Sequence, residues 1–288
     1  MPGRPTNLFA PASFLWLLRL AWTGLAVAMG FALDDTVASV AWWATVAVVV
    51  VALTVTGPLG LTVVRVVTPA TAPAALLAWS RHGGTWLGLG ATVLALLVTV
   101  VAMSAEAGEA MVQGSAYGEE LRFPLRVPAA MLLPVAIMWV LWCDAVLGAV
   151  VVLSHRAWVL GAVIAVVAVA LTWFLGPRFH RLSSRWLVLV PAGVVVHDHL
   201  LMAETLMVQR SNVAAVHLAL AGSEAFDLTG PTGGHALDVE ARETVLAVFP
   251  ASAKEPYGRA VHLQSFLVAP SRPGRALQAM AAAHLPVG

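Results

Sequence analysis

Long apolar blocks recur along the first 177 residues, at the length a lipid bilayer demands. Residues 14–33, 37–56, 85–103, 127–153 and 158–175 each come close to the roughly 20 apolar residues that cross a hydrocarbon core of about 30 Å. A chain in lipid has no water to satisfy its backbone, so such blocks fold as helices. Composition agrees: 60% of residues are hydrophobic and 11% charged, against roughly 25% charged in soluble domains. With 16 basic and 15 acidic residues, no overall charge points to nucleic acid. The one cysteine, Cys143, lies in an apolar run and can form neither an internal disulfide nor a thiolate cluster.

One stretch decides the topology. "LTVVRVVTPATAPAALLAW", residues 61–79, carries Arg65, Pro69 and Pro73, which spoil its hydropathy. Outside the membrane it leaves five spans; crossing, it makes six. Proline is tolerated in a membrane helix when neighbours serve the freed carbonyls, and Arg65, one turn in, can snorkel to the headgroups. Arginine placement favours six. With the start of the chain inside, six spans put Arg4, Arg65, Arg122, Arg126, Arg178, Arg181 and Arg185 on the cytoplasmic side, leaving Arg81 and Arg156 outside. Arg19, shallow in the first span, also reaches the inner side. Five spans send Arg4, Arg65, Arg81 and Arg156 outward. The acidic loop 105–126 then becomes cytoplasmic, which costs little because acidic residues hardly steer orientation. A signal peptide cleaved near "AMGFA", residues 28–32, is the competing reading of the first block, but its apolar run is long and its charged start weak. The expectation is a membrane all-α helical bundle over residues 1–177, with spans near 14–33, 37–56, 61–79, 85–103, 127–153 and 158–175.

Asp144, in "MWVLWCDAVLG", falls well inside the fifth of these spans. An ionisable group at that depth is expensive and marks a candidate site, with Arg65 the other intramembrane charge to weigh. On six spans Arg65 lies near the inner face and Asp144 nearer the outer, so no depth-matched base is evident. Asp144 reads either as part of a proton or cation relay, or as a polar group bonded to a neighbouring helix. Carriers usually show several polar intramembrane groups and broken helices in matching halves. Here there is one Asp, one proline-broken segment and no internal repeat. The loop "GSAYGEELRFPLRVP", residues 114–128, is either an interfacial elbow or a docking surface for the domain that follows the last span.

After Gly176-Pro177 the apolar period changes to two. Short runs at 186–190 and 194–198 flank Pro191-Ala192-Gly193 as a hairpin, and further strands fall at 205–210, 213–218, 236–240, 245–249 and 261–268. Residues 271–285 form an amphipathic helix. The "RFHRLSSR" segment, residues 178–185, should lie at the headgroups, where each base gains roughly 1 kcal/mol from anionic lipid. His197 and His199 share a strand face and could meet one zinc ion, but no further ligands stand at diagnostic spacing. Their plainer role is a solvated turn with Asp198 capping the backbone. "GPTGGH", residues 230–235, follows no strand-to-helix unit and reads as a turn. No Walker loop, nucleophile elbow or kinase set is present, so neither enzyme nor cofactor is expected.

Three stretches, "RWLVLVPAGVVVHD" (185–198), "VQRSNVAAVHLA" (208–219) and "FLVAPSRPGRALQAM" (266–280), resemble the first hairpin, the third strand and the closing strand-helix junction of bacterial pleckstrin-homology (PH)-like domains. The resemblance spans about the last 105 residues and implies a small mainly-β barrel or sandwich of seven strands, capped by a C-terminal helix, over 178–288. The whole layout also resembles a group of multi-pass membrane proteins of high-GC bacteria, through "AYGEELRFPLR" (116–126) and the same hairpin. That resemblance bears on architecture and not on chemistry. PH domains that hold phosphoinositides cluster bases in their early loops, whereas this chain carries His-Asp-His and Glu204 there. The expected role is a multi-pass cell-membrane binding or scaffolding protein with a cytoplasmic PH-like module. Its partners would be the bilayer and, through residues 178–288, a protein or a second copy, with no nucleic acid. The alternative is a small-solute or proton-coupled transporter using Asp144.

Overall fold

The computed structural model describes residues 12–81, 84–251 and 257–288; Arg4, Gly83 and Lys254 lie outside them. The described chain divides into two compact units, one of residues 12–111 with 134–180, the other of residues 112–133 with 181–288.

Among the described residues the first unit holds six helices long and apolar enough to cross a membrane, and the chain is a multi-pass membrane protein on that ground. They are α1 (Ala12–Ala32), α2 (Thr36–Thr54), α3 (Pro58–Arg81), α4 (Trp86–Met103), α6 (Ala129–Ser154) and α7 (Trp158–Ser183), with a short α5 (Ala105–Gln113) after α4. The doubtful stretch 61–79 is inside α3, one unbroken helix through Pro69 and Pro73. It is also the most buried of the six. Prolines thin its own hydrogen bonds, and threonine hydroxyls bond in the same stretch: Thr68 to the Val64 carbonyl at 2.8 Å, Thr71 to the Thr68 carbonyl at 2.6 Å, and Thr99 of α4 to the Thr68 carbonyl at 3.2 Å.

Packing within this unit sets large side chains on small ones. Leu18, Trp22, Leu25 and Met29 form one buried stripe of α1, and Ala91, Ala95, Val98 and Ala102 form the matching stripe of α4, the helix it packs against. Both recur at i, i+4, i+7 and i+11, the spacing that keeps a seam on one face. Alanines let the backbones approach, which is how membrane helices gain contact without a hydrophobic drive. At the end of α2, Arg19 donates to the Leu53 carbonyl through Nε at 3.2 Å and Nη2 at 2.7 Å. α7 runs past the Gly176-Pro177 break, where the sequence places the exit from the membrane, and reaches Ser183. Leu175 and Phe179 explain this: both are buried in a cluster with Trp142 and Cys143 of α6, and His180 shares a 2.9 Å hydrogen bond with Thr62 of α3.

Among its described residues the second unit has eight strands in two four-stranded sheets and a closing helix, α8 (Pro273–Ala282). One sheet orders β1 (Leu121–Pro124), β2 (Arg185–Val190), β3 (Gly193–Asp198) and β4 (Leu206–Gln209), all antiparallel. The other orders β5 (Val213–Leu218), β7 (Leu237–Phe249), β8 (Arg259–Val268) and the two-residue β6 (Phe226–Asp227). The sheets do not close into a barrel. Two strands expected at 236–240 and 245–249 are one long β7 with an irregularity between Glu240 and Val245. Alternation builds the core: Leu187, Leu189, Val194, Val196, Leu206 and Val208 from the first sheet pack in one cluster with Val216, Val239, Phe266 and, from α8, Ala276 and Met280. The loop before α6 contributes β1, whose Phe123 lies opposite Leu187. Of its two expected roles, elbow and docking surface, it takes the second, as an edge strand.

Candidate functional site

Pro191-Ala192 form a two-residue turn, and counting outward from it places Arg185 opposite Asp198 and Trp186 opposite His197. Arg185 and Asp198 point inward and their side chains are each 1% exposed. Arg185 Nε donates to Asp198 Oδ1 at 2.8 Å and Nη2 to Oδ2 at 2.7 Å, a bidentate pair. Nη1 donates to the Arg126 carbonyl at 2.7 Å, and the Leu200 N–H donates to Asp198 Oδ1 at 3.1 Å. The Asp of His-Asp-His therefore caps the turn, as expected, but chiefly neutralises a buried arginine. Arg185, expected at the headgroups, is consumed inside the sheet.

On the opposite face the side chains stack. The Arg122 guanidinium lies 5.4 Å from the Trp186 ring centre, Trp186 and His197 are stacked at 4.8 Å, and His197 meets His199 edge-on at 4.3 Å. Burial, then the neighbouring His199 and Arg122, holds the His197 ring below the usual histidine pKa. The two histidines were expected to be solvated, yet His197 is half-buried in this stack. Among the described residues no group of three His, Cys, Asp or Glu side chains could hold a metal ion. Nearby, Arg126 Nη1 donates to the Gly233 carbonyl at 2.6 Å and Nη2 to that of His235, so "GPTGGH" is a turn clamped by an arginine.

In the helical unit, Asp144 and Arg65 are not brought together. Arg65 Nη2 donates to the Ser104 carbonyl at the end of α4, at 3.3 Å. Asp144 is exposed, and among the described residues it has no hydrogen bond or ion pair. It lies away from the face of α6 that packs through Trp139, Trp142 and Cys143. On insertion scales, a lone Asp at mid-span costs roughly 3 kcal/mol.

A cavity of about 390 Å³ opens between α1, α2, α3 and α6. Its walls are apolar, with Met29, Trp42, Ala74, Leu147 and Val150, and Asp34, Asp35 and Arg81 stand at its polar end. That combination is the usual form of a small-molecule site. Ser154 Oγ donates to Asp35 Oδ2 at 2.6 Å and the Ala38 N–H donates to the same oxygen at 2.7 Å, so Asp35 caps α2 and ties it to α6. Sequence reading missed this end of the bundle. Its signal, Asp34-Asp35 before one apolar block and Arg81 after another, was visible only as loop charge. Comparison of the chain with protein-family models, with curated proteins and with solved structures found no match in any of the three.

Proposed function

We propose that the chain is a plasma-membrane binding or scaffolding protein, not an enzyme, that presents a PH-like module to the cytoplasm for a protein partner or a second copy of itself. The observation that carries this reading is the β1–β2 pairing. Strand β1 precedes α6 and strand β2 follows α7, so one sheet is tethered to the membrane at both ends of a helix pair. A module held at two points is suited to presenting a surface and unsuited to diffusing away. The two four-stranded sheets with a closing helix support the PH-like reading, and the arginine bias of the loops supports the cytoplasmic side. Reporter fusions after residues 57, 82, 180 and 288 test it. Cytoplasmic signal at 57, 180 and 288, with external signal at 82, is the expected pattern. External signal at 180 and 288 would turn the module toward the envelope and overturn the proposal.

A second reading, a carrier of small solutes, draws on the 390 Å³ cavity with its Asp34, Asp35 and Arg81 end. As first read from the sequence it turns on Asp144. Uptake abolished by Asp144→Asn favours the carrier; uptake indifferent to it favours the scaffold.

A further inference from the structure

We infer that the chain self-associates in the membrane through the bare face of α6, with Asp144 as the polar member of the contact. The face is defined by exposure. Leu133 is 69% exposed, Ile137 51%, Val140 46% and Leu141 56%, and Asp144 follows on the same side. Leu133, Ile137, Val140 and Asp144 stand at i, i+4, i+7 and i+11, the seam by which one helix packs along another. The opposite face is already occupied: Trp139 Nε1 donates to the Val66 carbonyl and Trp142 Nε1 to Thr172 Oγ1, each at 2.9 Å.

Asp144 separates this face from an ordinary lipid-facing one. Leu, Ile and Val are at home against acyl chains, but a carboxyl group without a partner is not, and intramembrane ionisable residues nearly always face protein or water. None of the described residues of its own chain bonds it. A second copy supplies what is missing by symmetry alone. Copies in one membrane share orientation, so a two-fold axis along the membrane normal sets each residue of the seam against itself. Asp144 then meets Asp144 at one depth, where the two side chains can hydrogen-bond to each other across the axis. The rest of the seam, wholly apolar and free of charge, is self-complementary. A foreign helix would need a polar group at the same depth; the second copy has one necessarily. This inference rests on α6 spanning the membrane and not on the PH-like reading.

The experiment uses the full chain with Cys143→Ala, reconstituted in phosphatidylcholine vesicles, with donor- and acceptor-labelled copies mixed and diluted into excess lipid. The expected result is energy transfer that persists on dilution in the parent and in Asp144→Asn, which keeps a hydrogen-bonding group. Asp144→Leu should weaken association about tenfold, the size of one interhelical hydrogen bond in a membrane. Because the position is exposed and apolar-flanked, Leu there leaves the fold of each copy intact, read as unchanged circular dichroism. In parallel, Ile137→Cys should cross-link between copies with a short bismaleimide, whereas Met138→Cys, on the packed face, should not. Energy transfer that vanishes on dilution of the parent, or that is unchanged in Asp144→Leu, overturns the inference; the first outcome would assign the face to another membrane protein.

Discussion

Arg185 shows how much rides on one side chain once it is out of water. Its three hydrogen-bonding nitrogens are all engaged, and Asp198 has no solvent to turn to. Arg185→Ala would strand the Asp198 carboxylate, at a cost of about 3–5 kcal/mol. Arg185→Met with Asp198→Leu should cost far less than either alone, because no unpaired charge remains. Hydrogen exchange of residues 185–198 in the detergent-solubilised full chain measures both; equal protection in all variants would refute the pair's role. Two histidines of the same unit pull the pH dependence in opposite directions. The Glu240 carboxylate, 3.1 Å away, and then the Leu218 carbonyl raise the pKa of His217. Its stabilisation is therefore complete below the unfolded histidine value of about 6.5 and is lost as pH rises through the raised folded value. The pair is partly exposed, so it is worth no more than about 0.5 kcal/mol. His197 is lowered by burial, so its stabilisation is present above the unfolded value and lost as pH falls through the folded one. Melting of the full chain between pH 5 and 8 should show His217→Gln losing stability at the acid end and His197→Gln gaining it there, relative to the parent.

At the scale of elements, the hairpin and α3 are instructive. β2 and β3 alternate cleanly, and Pro191-Ala192 sets their register. What the alternation does not reveal is the close passage of β4. Gly193 has a φ of +153°, and a Cβ added there would lie 2.1 Å from the Val208 carbonyl oxygen, a backbone atom that cannot swing away. Gly193→Ala should push β4 off β3 and loosen Leu206–Gln209, destabilising by about 2–3 kcal/mol. Faster exchange confined to β3 and β4 would check it; an unchanged β4 would refute it. In α3, hydropathy reads as interrupted because Arg65, Pro69 and Pro73 score badly one by one. The helix is the best packed of the six, and its penalties are met by neighbours that hydropathy does not count.

For the molecule as a whole, the informative contact joins residues 66 positions apart, 122 and 188. Arg122 stands opposite Val188 in the β1–β2 ladder. A chain with Cys143→Ala, Arg122→Cys and Val188→Cys should form a disulfide on mild oxidation in membranes, because directly opposed strand residues bring their Cβ atoms to roughly 5 Å. Arg122→Cys paired with His217→Cys, a position on the other sheet, should not. Formation in the first pair also requires residues 112–133 and 181–288 to share one side of the membrane, as two intervening spans demand. Absence of the bond would break the ladder and, with it, the doubly tethered module.

Much of this was legible in residue order, for a physical reason. Bilayer thickness imposes a length, sheet pleating a period of two and a short turn a register, so the six helices and the hairpin are local consequences of the chain, whereas Arg185, read from the sequence as a headgroup residue, is paired with Asp198 only in the folded sheet. What needed the tertiary structure were matters settled by distant neighbours: α3 as a buried helix, α7 carried past Pro177 by Phe179, the edge strand from the loop before α6, the cavity beside Asp35, and the exposure of Asp144. Each depends on which surface another segment happens to occupy, and a linear pattern of apolar and polar residues carries no record of that.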